Sequence, residues 1–293
     1  MLPYTWAACI CCLLLMQGIA TTGQTGFIKA GQLQVYYKKL GTGKPLVFLH
    51  AGYQDMSMWD KQVSFFSPHH SVILFDLPGH GATKGVDTSL LVQDVLRICL
   101  DSLHIQKASF IGLSIGSSCA TEFALAWPER VDKIVLVSPG LSGWAQVLTL
   151  DSISRRCFEL LDKATATKNN DSISACFGRM WCVGPFRQPG SVSAYAREYI
   201  SRTTLRSLQQ HPEDNKWPRF SQPPAAVKIN RMPASLLVIA GDEDIPFILS
   251  EAHWLHHSVD GSKEIIFHHV AHMLNLEIPG DFNKAVAAFL NYK

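Results

Sequence analysis

The chain has 293 residues, of which 47% are hydrophobic and 17% charged, a balance typical of a globular protein with a sizeable core. Its formal net charge is +2 and its Lys and Arg residues are scattered, which argues against nucleic acid or an anionic surface as a partner. The sequence shows no internal repeat and no low-complexity tract, which excludes solenoid architectures and long disordered segments.

Residues 1–22 form an apolar leader that stands apart from the rest. Its run "TWAACICCLLLMQGIA" precedes small polar residues, and Gly18 and Ala20 suit a signal-peptide cleavage point. The run is short for a membrane span, which needs about 20 apolar residues. No Lys or Arg precedes Lys29, which keeps an uncleaved anchor and an untargeted start as alternatives. We therefore expect a secreted or periplasmic protein, with a membrane-anchored or cytoplasmic one as the alternative.

Five cysteines lie outside the leader, an odd number at irregular spacing. Cys99 and Cys119 fall on apolar helix faces and are expected to be buried small residues. A bridge among Cys157, Cys176 and Cys182 stays open, because spacing alone does not define connectivity.

From residue 27 onward, short apolar runs alternate with helical patterns. A continuous apolar run bounded by turn residues is typical of a strand buried on both faces. Buried strands that alternate with helices predict an α/β fold with a mostly parallel, doubly wound sheet and right-handed crossovers. The predicted strands are 33–41, 45–50, 71–81 (ending in a Pro-Gly turn), 108–112, 133–138, 235–241 and 264–268, and the predicted helices are 89–103 (with Thr88 or Ser89 as N-cap) and 115–127.

The motif "IGLSIGSS" at 111–118 places Ser114 between two glycines, directly after an apolar strand and before a helix. Gly-x-Ser-x-Gly in this context is typical of a nucleophile elbow, a sharp turn that presents a serine hydroxyl. Two other predicted strands end in "GDED" (241–244) and "HHVAH" (268–272), so an acid and a histidine follow the serine along the chain. Active groups gather at the carboxyl ends of such strands.

Six segments in this order resemble the α/β-hydrolase superfamily, and specifically its capped esterases, lactonases and C–C hydrolases. The resemblance spans residues 27–293 and one departure is Ala51, where the family usually has Gly after the histidine. It implies an α/β-hydrolase core at 27–139 and 231–293, with a mainly helical cap at 140–230. The segments are "FLHAGYQDMSMW", "FDLPGHGAT", "IGLSIGSS", "WPERVDKIVLVSP", "PASLLVIAGDEDIP" and "VAHMLNLEIPGDFNKAVAAFL".

The resemblance implies a role for each residue of a Ser-His-Asp triad. Ser114 is the nucleophile and His272 the general base, because "AHMLNLEIPGDF" is similar to the family's terminal histidine segment. Asp244 is the acid that orients the histidine, because the segment "GDEDIP" fits the family pattern Gly-x-x-Asp followed by Pro. The backbone N–H groups of Gly52 and Ile115 are the expected oxyanion hole.

The orienting acid and the general base each have alternative candidates. Asp242 is the alternative acid, with a turn or cap role as its simpler explanation. His268 and His269 are the alternative bases, but they lie in or at the end of the strand whereas His272 lies beyond it. "HHVAH" lacks an acidic or cysteine partner at ligand spacing, so no metal and no cofactor is expected.

Five side chains are expected to bind substrate. Tyr53 and Met273 flank the predicted site, Leu141 and Trp144 follow the strand that precedes the cap, and Phe247 follows the acid loop. Packing is the alternative role for Tyr53 and Met273, and for Trp144 the alternative is anchoring the cap to the core. Two further conspicuous residues are scaffold: His80 braces its loop and Trp59 lies in the core.

These residues predict a serine hydrolase that cleaves a carboxylic ester or lactone of a small, largely apolar substrate through an acyl-enzyme. C–C bond hydrolysis, acyl transfer and perhydrolysis on the same triad are the alternatives, as is a non-catalytic small-molecule receptor with this fold. The expected partner is the small-molecule substrate, with no nucleic acid and, if the leader is cleaved, no stable membrane partner.

Overall fold

The structure is a computed structural model that describes residues 23–211, 218–232 and 235–291. The leader lies outside these residues, so the signal peptide stays a prediction. Within the described ranges, no helix is both long and apolar enough to cross a membrane.

One sheet of eight strands organises the molecule, in the order β1-β2-β4-β3-β5-β6-β7-β8. β2 is antiparallel to both of its neighbours, while the six strands from β4 to β8 in this order run parallel. This confirms the predicted mostly parallel sheet. The strands are β1 (Gln24–Ala30), β2 (Leu33–Leu40), β3 (Lys44–Leu49), β4 (His70–Phe75), β5 (Ala108–Ser114), β6 (Val131–Pro139), β7 (Leu236–Gly241) and β8 (Lys263–Phe267).

Helices cover both faces of the sheet. Alternate residues of β3 point to opposite sides: Val47 and Leu49 pack beneath α2, α3 and α7, and Leu46 and Phe48 pack beneath α1 and α9. The sheet is therefore doubly wound, as predicted. The helices are α1 (Asp60–Phe66), α2 (Val92–Ser102), α3 (Ile115–Ala126), α4 (Ser152–Ala166), α5 (Asn170–Phe177), α6 (Ala194–Gln210), α7 (Pro246–Ser258), α8 (Leu274–Glu277) and α9 (Pro279–Leu290).

Two predicted boundaries were wrong. The strand predicted at 71–81 ends at Phe75, because the Asp76 carboxylate then accepts backbone N–H groups of Met56 (2.9 Å) and Ala82 (2.7 Å) and turns the chain. The helix predicted from residue 89 begins at Val92 without a side-chain cap. Ser89 does not cap it, because its own backbone N–H bonds to Asp87 (2.8 Å) in a local turn.

The buried cysteines were predicted correctly, since Cys99 on α2 and Cys119 on α3 are fully buried. Burial raises the pKa of the Cys99 thiol to about 12. Cys157, Cys176 and Cys182 are free thiols, so no bridge joins them in this structure.

Between β6 and β7 the described residues form a helical insertion (140–211 and 218–230) that contains α4, α5 and α6. Side-chain caps start these helices: Asp151 accepts N–H groups at the start of α4, and Asn169 and Ser193 do the same for α5 and α6. A π-helical turn, Gly178–Val183, extends α5 toward the carboxyl ends of the parallel strands.

Candidate active site

Ser114 lies at the junction of β5 and α3 with a backbone φ of +56°, a region that non-glycine residues rarely adopt. Two glycines allow this turn. A Cβ at Gly112 would meet the Gly116 carbonyl oxygen at 2.3 Å, and one at Gly116 would meet the Leu49 carbonyl oxygen at 2.2 Å. Strain of this kind clusters at functional sites, and the turn has the geometry of a nucleophile elbow.

His272 and Asp244 form a buried pair beyond the ends of β8 and β7. The His272 Nδ1 and the Asp244 Oδ2 are 2.7 Å apart, and the two side chains are 2% and 0% exposed. Asp244 also accepts the backbone N–H of Ile245 (2.8 Å), which fixes the carboxylate. If Nδ1 carries the proton that Asp244 accepts, Nε2 is left with a free lone pair, as a general base requires.

The rival residues form a second Asp–His pair of equal length. His268 Nδ1 lies 2.7 Å from Asp242 Oδ2, but these side chains are 78% and 34% exposed. Asp242 also accepts the backbone N–H of His269 at 2.7 Å, so it shapes the turn after β8. Burial therefore separates the two pairs, and His272, unlike His268, lines the same cavity as Ser114.

The neighbouring serines are engaged or buried. The Ser117 hydroxyl donates to the Gly112 carbonyl (2.7 Å) and is fully buried. Ser118 is 6% exposed and lies beneath Gly140.

The loop after β3 carries Gly52, one of the predicted oxyanion donors. His50 supports this loop: the Leu77 N–H donates to its Nε2 (2.9 Å), so its Nδ1 carries a proton and donates to the Ala51 carbonyl (2.8 Å). Burial lowers the pKa of His50, which keeps the ring neutral. Ala51, the residue that departs from the family pattern, is buried, and the Gly52 beside it lines the cavity. Ile115 also lines it and, as the first residue of α3, has a backbone N–H with no intrahelical acceptor.

A cavity of about 350 Å³ opens above Ser114. The core contributes the loop after β3, the elbow and the loop that carries His272, while the helical insertion contributes residues from α4, α5 and the π-helical turn. Its lining residues are Ala51, Gly52, Tyr53, Ser114, Ile115, Leu161, Asp162, Thr165, Phe177, Trp181, His272 and Met273.

Aromatic side chains form one wall of this cavity. Tyr53 meets Phe177 edge-on, with ring centroids 5.3 Å apart, and Phe177 lies 6.4 Å from Trp181. Trp181 in turn packs on the His272 ring at 4.3 Å. The sequence predicted Tyr53 and Met273 at the cavity but missed Phe177 and Trp181, because a π-helical turn breaks the 3.6-residue periodicity that would have revealed an inward face.

Three residues predicted to bind substrate lie elsewhere. Gly143 has a φ of +82° and turns the chain so that Trp144 packs on Trp254 (4.9 Å) and Phe247 (6.1 Å) of α7. Leu141 packs in the same core cluster. None of these three side chains lines the cavity, and each packs in the protein interior instead. For Trp144 this agrees with the alternative role of anchoring the insertion to the core.

A buried ion pair ties the helical insertion to the loop that carries His272. Arg187 donates to both carboxylate oxygens of Glu277, at 2.7 and 3.1 Å, and the two side chains are 8% and 6% exposed. Arg187 also donates to the His269 carbonyl (2.9 Å), and Glu277 accepts the Ala271 N–H (3.1 Å). This pair therefore ties the backbone at His269 and Ala271, directly before His272, to α8 and to the helical insertion.

Two other titratable side chains near the site, Glu251 and His80, are buried. Glu251 on α7 is buried, and burial together with the nearby Asp244 charge raises its pKa well above the usual value. Burial lowers the pKa of His80 to about 3, and its Nδ1 lies 3.0 Å from the Pro78 carbonyl, which suits the bracing role predicted for it. Trp59 is fully buried, as predicted. Across the described ranges, no group of three or more His, Cys, Asp or Glu residues is arranged to hold a metal ion.

The sequence profile of the α/β-hydrolase fold family matches residues 44–279. The chain belongs to this family. A 2-hydroxy-6-oxononadienedioate/2-hydroxy-6-oxononatrienedioate hydrolase of Paraburkholderia phymatum is 26% identical over 283 residues, 92% of this chain and 96% of the relative. A 3-oxoadipate enol-lactonase of Acinetobacter baylyi is 24% identical over 253 residues, 84% and 88% of the two chains. Naproxen esterase of Bacillus subtilis superposes with a TM-score of 0.71 over 93% of each chain at 18% identity.

These matches confirm the resemblance and the fold class expected from the sequence, and they support hydrolase activity for this chain. The two sequence relatives act on different bonds, so the family alone leaves the substrate open.

Proposed function

We propose that this chain is a serine hydrolase that cleaves a carboxylic ester or a lactone of a small, largely apolar substrate. The proposal rests on the arrangement of three residues. Ser114, on a strained turn, shares a cavity with His272, and the ring of His272 is hydrogen-bonded to the buried Asp244.

In this proposal the Ser114 hydroxyl attacks the substrate carbonyl carbon while His272 takes its proton. Asp244 holds the imidazole in one tautomer and stabilises the imidazolium that forms. The N–H groups of Gly52 and Ile115 bind the oxyanion, a contact typically worth about 10²–10³ in rate per donor. His272 then gives the proton to the leaving alcohol, and water opens the acyl-enzyme by the reverse sequence.

The cavity lining favours an ester or lactone over the C–C bond of a dicarboxylate. The Paraburkholderia relative is named for dienedioate and trienedioate substrates, which carry two carboxylates. Among the described residues, no Lys or Arg lines the cavity, and the one carboxylate in its lining is that of Asp162. A dianion would enter this cavity without a cation to replace its water, at a large desolvation cost.

A substrate panel tests the proposal. Phenyl and alkyl esters of rising acyl length, several lactones and a dienedioate diketone are offered to the purified chain and to two variants. We expect ester or lactone turnover and a loss of about 10⁴ in kcat for Asp244→Asn, because the histidine then adopts the wrong tautomer.

Asp242→Asn is the matched control, since it alters the exposed Asp–His pair, and kcat should stay near that of the parent chain. Faster cleavage of the diketone than of every ester and lactone would overturn the substrate assignment. Ligand-induced stabilisation without turnover of any substrate would instead favour the receptor alternative.

A further inference from the structure

The aromatic wall and Asp162 together give the cavity a chemical character that the proposed ester chemistry does not require. Tyr53, Phe177 and Trp181 present three neighbouring rings, and Asp162 lies on α4 at the exposed rim. Thr165, one turn further along the same helix, also lines the cavity. The lining therefore combines three aromatic rings with one carboxylate.

The charge of the Asp162 carboxylate bears on which ligands the cavity attracts. Within the part of the chain that the structure describes, no cation is paired with Asp162, and no Lys or Arg lines the cavity. Two arginines of the helical insertion are engaged elsewhere: Arg187 pairs with the buried Glu277, and Arg179 donates to the Gly184 and Pro185 carbonyls.

Such a lining discriminates by charge. The face of an aromatic ring carries negative electrostatic potential and attracts ammonium groups, and aromatic cages bind quaternary ammonium in this way. A carboxylate at the rim attracts the same cation and repels an anion. A substrate anion gains nothing from either, whereas a neutral apolar group gains only the burial of its surface.

We propose that the substrate carries a positively charged ammonium group, which lies against the Tyr53–Phe177–Trp181 wall with Asp162 at the rim. This inference rests on the proposed function and specifies its substrate class as a cationic ester or lactone. Asp162 and the three rings act here as specificity determinants, and the bond-breaking steps remain those of Ser114 and His272.

Two pairs of esters of matched shape test the inference, with the ammonium on either side of the scissile bond. Butyrylthiocholine is compared with S-(3,3-dimethylbutyl) thiobutyrate, and phenyl 4-(trimethylammonio)butyrate with phenyl 5,5-dimethylhexanoate. Each pair differs only in N⁺ against carbon. We expect kcat/KM to favour the cation by about 3–30-fold in at least one pair, the range of a partly desolvated cation–π contact. Equal rates, or a preference for the neutral ester in both pairs, would overturn it.

The Asp162→Asn variant tests whether the carboxylate at the cavity rim causes the preference for the cationic ester. The ratio of kcat/KM for the cationic and neutral esters should fall by about 3–10-fold at low ionic strength, and by less at 0.5 M salt, where screening shortens the range of the charge. Glu159→Gln is the matched control, because Glu159 is exposed on the same helix but does not line the cavity. An unchanged ratio in Asp162→Asn, or an equal fall in Glu159→Gln, would contradict the assignment.

A binding experiment distinguishes failure of this inference from failure of the proposed function. Choline and 3,3-dimethyl-1-butanol are titrated by calorimetry into the parent chain and into Asp162→Asn. Preferential binding of choline that weakens in the variant supports the cation site even if no ester is hydrolysed, in which case the proposed function alone fails. Ester turnover with no preference for choline, and none for the cationic esters, overturns the cation site and leaves the proposed function standing.

Discussion

The buried Arg187–Glu277 pair predicts a large loss of stability when its cation is removed. Arg187→Met deletes five hydrogen bonds: two to Glu277 and one each to the carbonyls of Cys182, Val183 and His269. It also leaves the Glu277 carboxylate buried without a counter-charge. Breaking such a pair from one side typically costs about 3–5 kcal/mol.

For a chain of this size, each kcal/mol shifts the melting temperature by roughly 2–4 °C, so the expected loss is about 6–20 °C. Calorimetry or urea denaturation measures it. The double variant Arg187→Met/Glu277→Gln should recover part of the loss, because the buried charge disappears while an oxygen remains for the Ala271 N–H.

Arg97→Met is the matched control for this experiment. Arg97 and Asp101 form a partly exposed pair one turn apart on α2, and pairs that solvent reaches contribute about 0–1 kcal/mol. An Arg187→Met loss no larger than that of Arg97→Met would refute the reasoning, as would a double variant less stable than the single one.

Two further predictions concern buried titratable groups. The raised pKa of Glu251 means that its contribution to the free energy of unfolding is largest below the unfolded pKa of about 4.3 and declines as pH rises toward the folded value. Glu251→Gln lacks this decline, so its melting temperature relative to the parent should rise between pH 4.5 and pH 8. A constant difference would show that the carboxyl is ionised in the folded state. Thiol titration of the native chain should modify Cys157 and Cys176 before Cys182, because burial raises the pKa of the Cys182 thiol to about 12. Peptide mapping that finds Cys182 modified first would contradict this order.

The sequence was most informative where local chemistry fixes the backbone. The elbow was readable because Gly112 and Gly116 are the residues that a close strand–helix contact requires, and apolar runs identified the buried strands. The carboxyl ends of parallel strands meet at one edge, which is why an acid and a histidine were expected beside Ser114. The family resemblance implied Asp244 and His272, and these two are found as a hydrogen-bonded pair, with His272 in the same cavity as Ser114.

The cavity wall was far less predictable. Its insertion residues depend on how α4, α5 and a π-helical turn dock on the core, and that docking involves contacts between residues far apart in sequence, such as Arg187 with Glu277. The prediction that Trp144 and Phe247 line the substrate pocket was wrong for a similar reason. Their aromatic character fits a pocket and a packed core equally well, and the contacts of Trp144 with Phe247 and Trp254 join residues about 100 positions apart in the chain.

Labelling with a fluorophosphonate tests most directly the claim that Ser114 is an activated nucleophile. Intact mass should show one adduct per chain, and peptide mapping should place it on Ser114. Ser114→Ala should remain unlabelled and lose about 10³–10⁶ in kcat, because triad members act as a unit. Label on another serine, such as Ser117 or Ser118, or an unlabelled parent chain that still hydrolyses esters, would contradict the account.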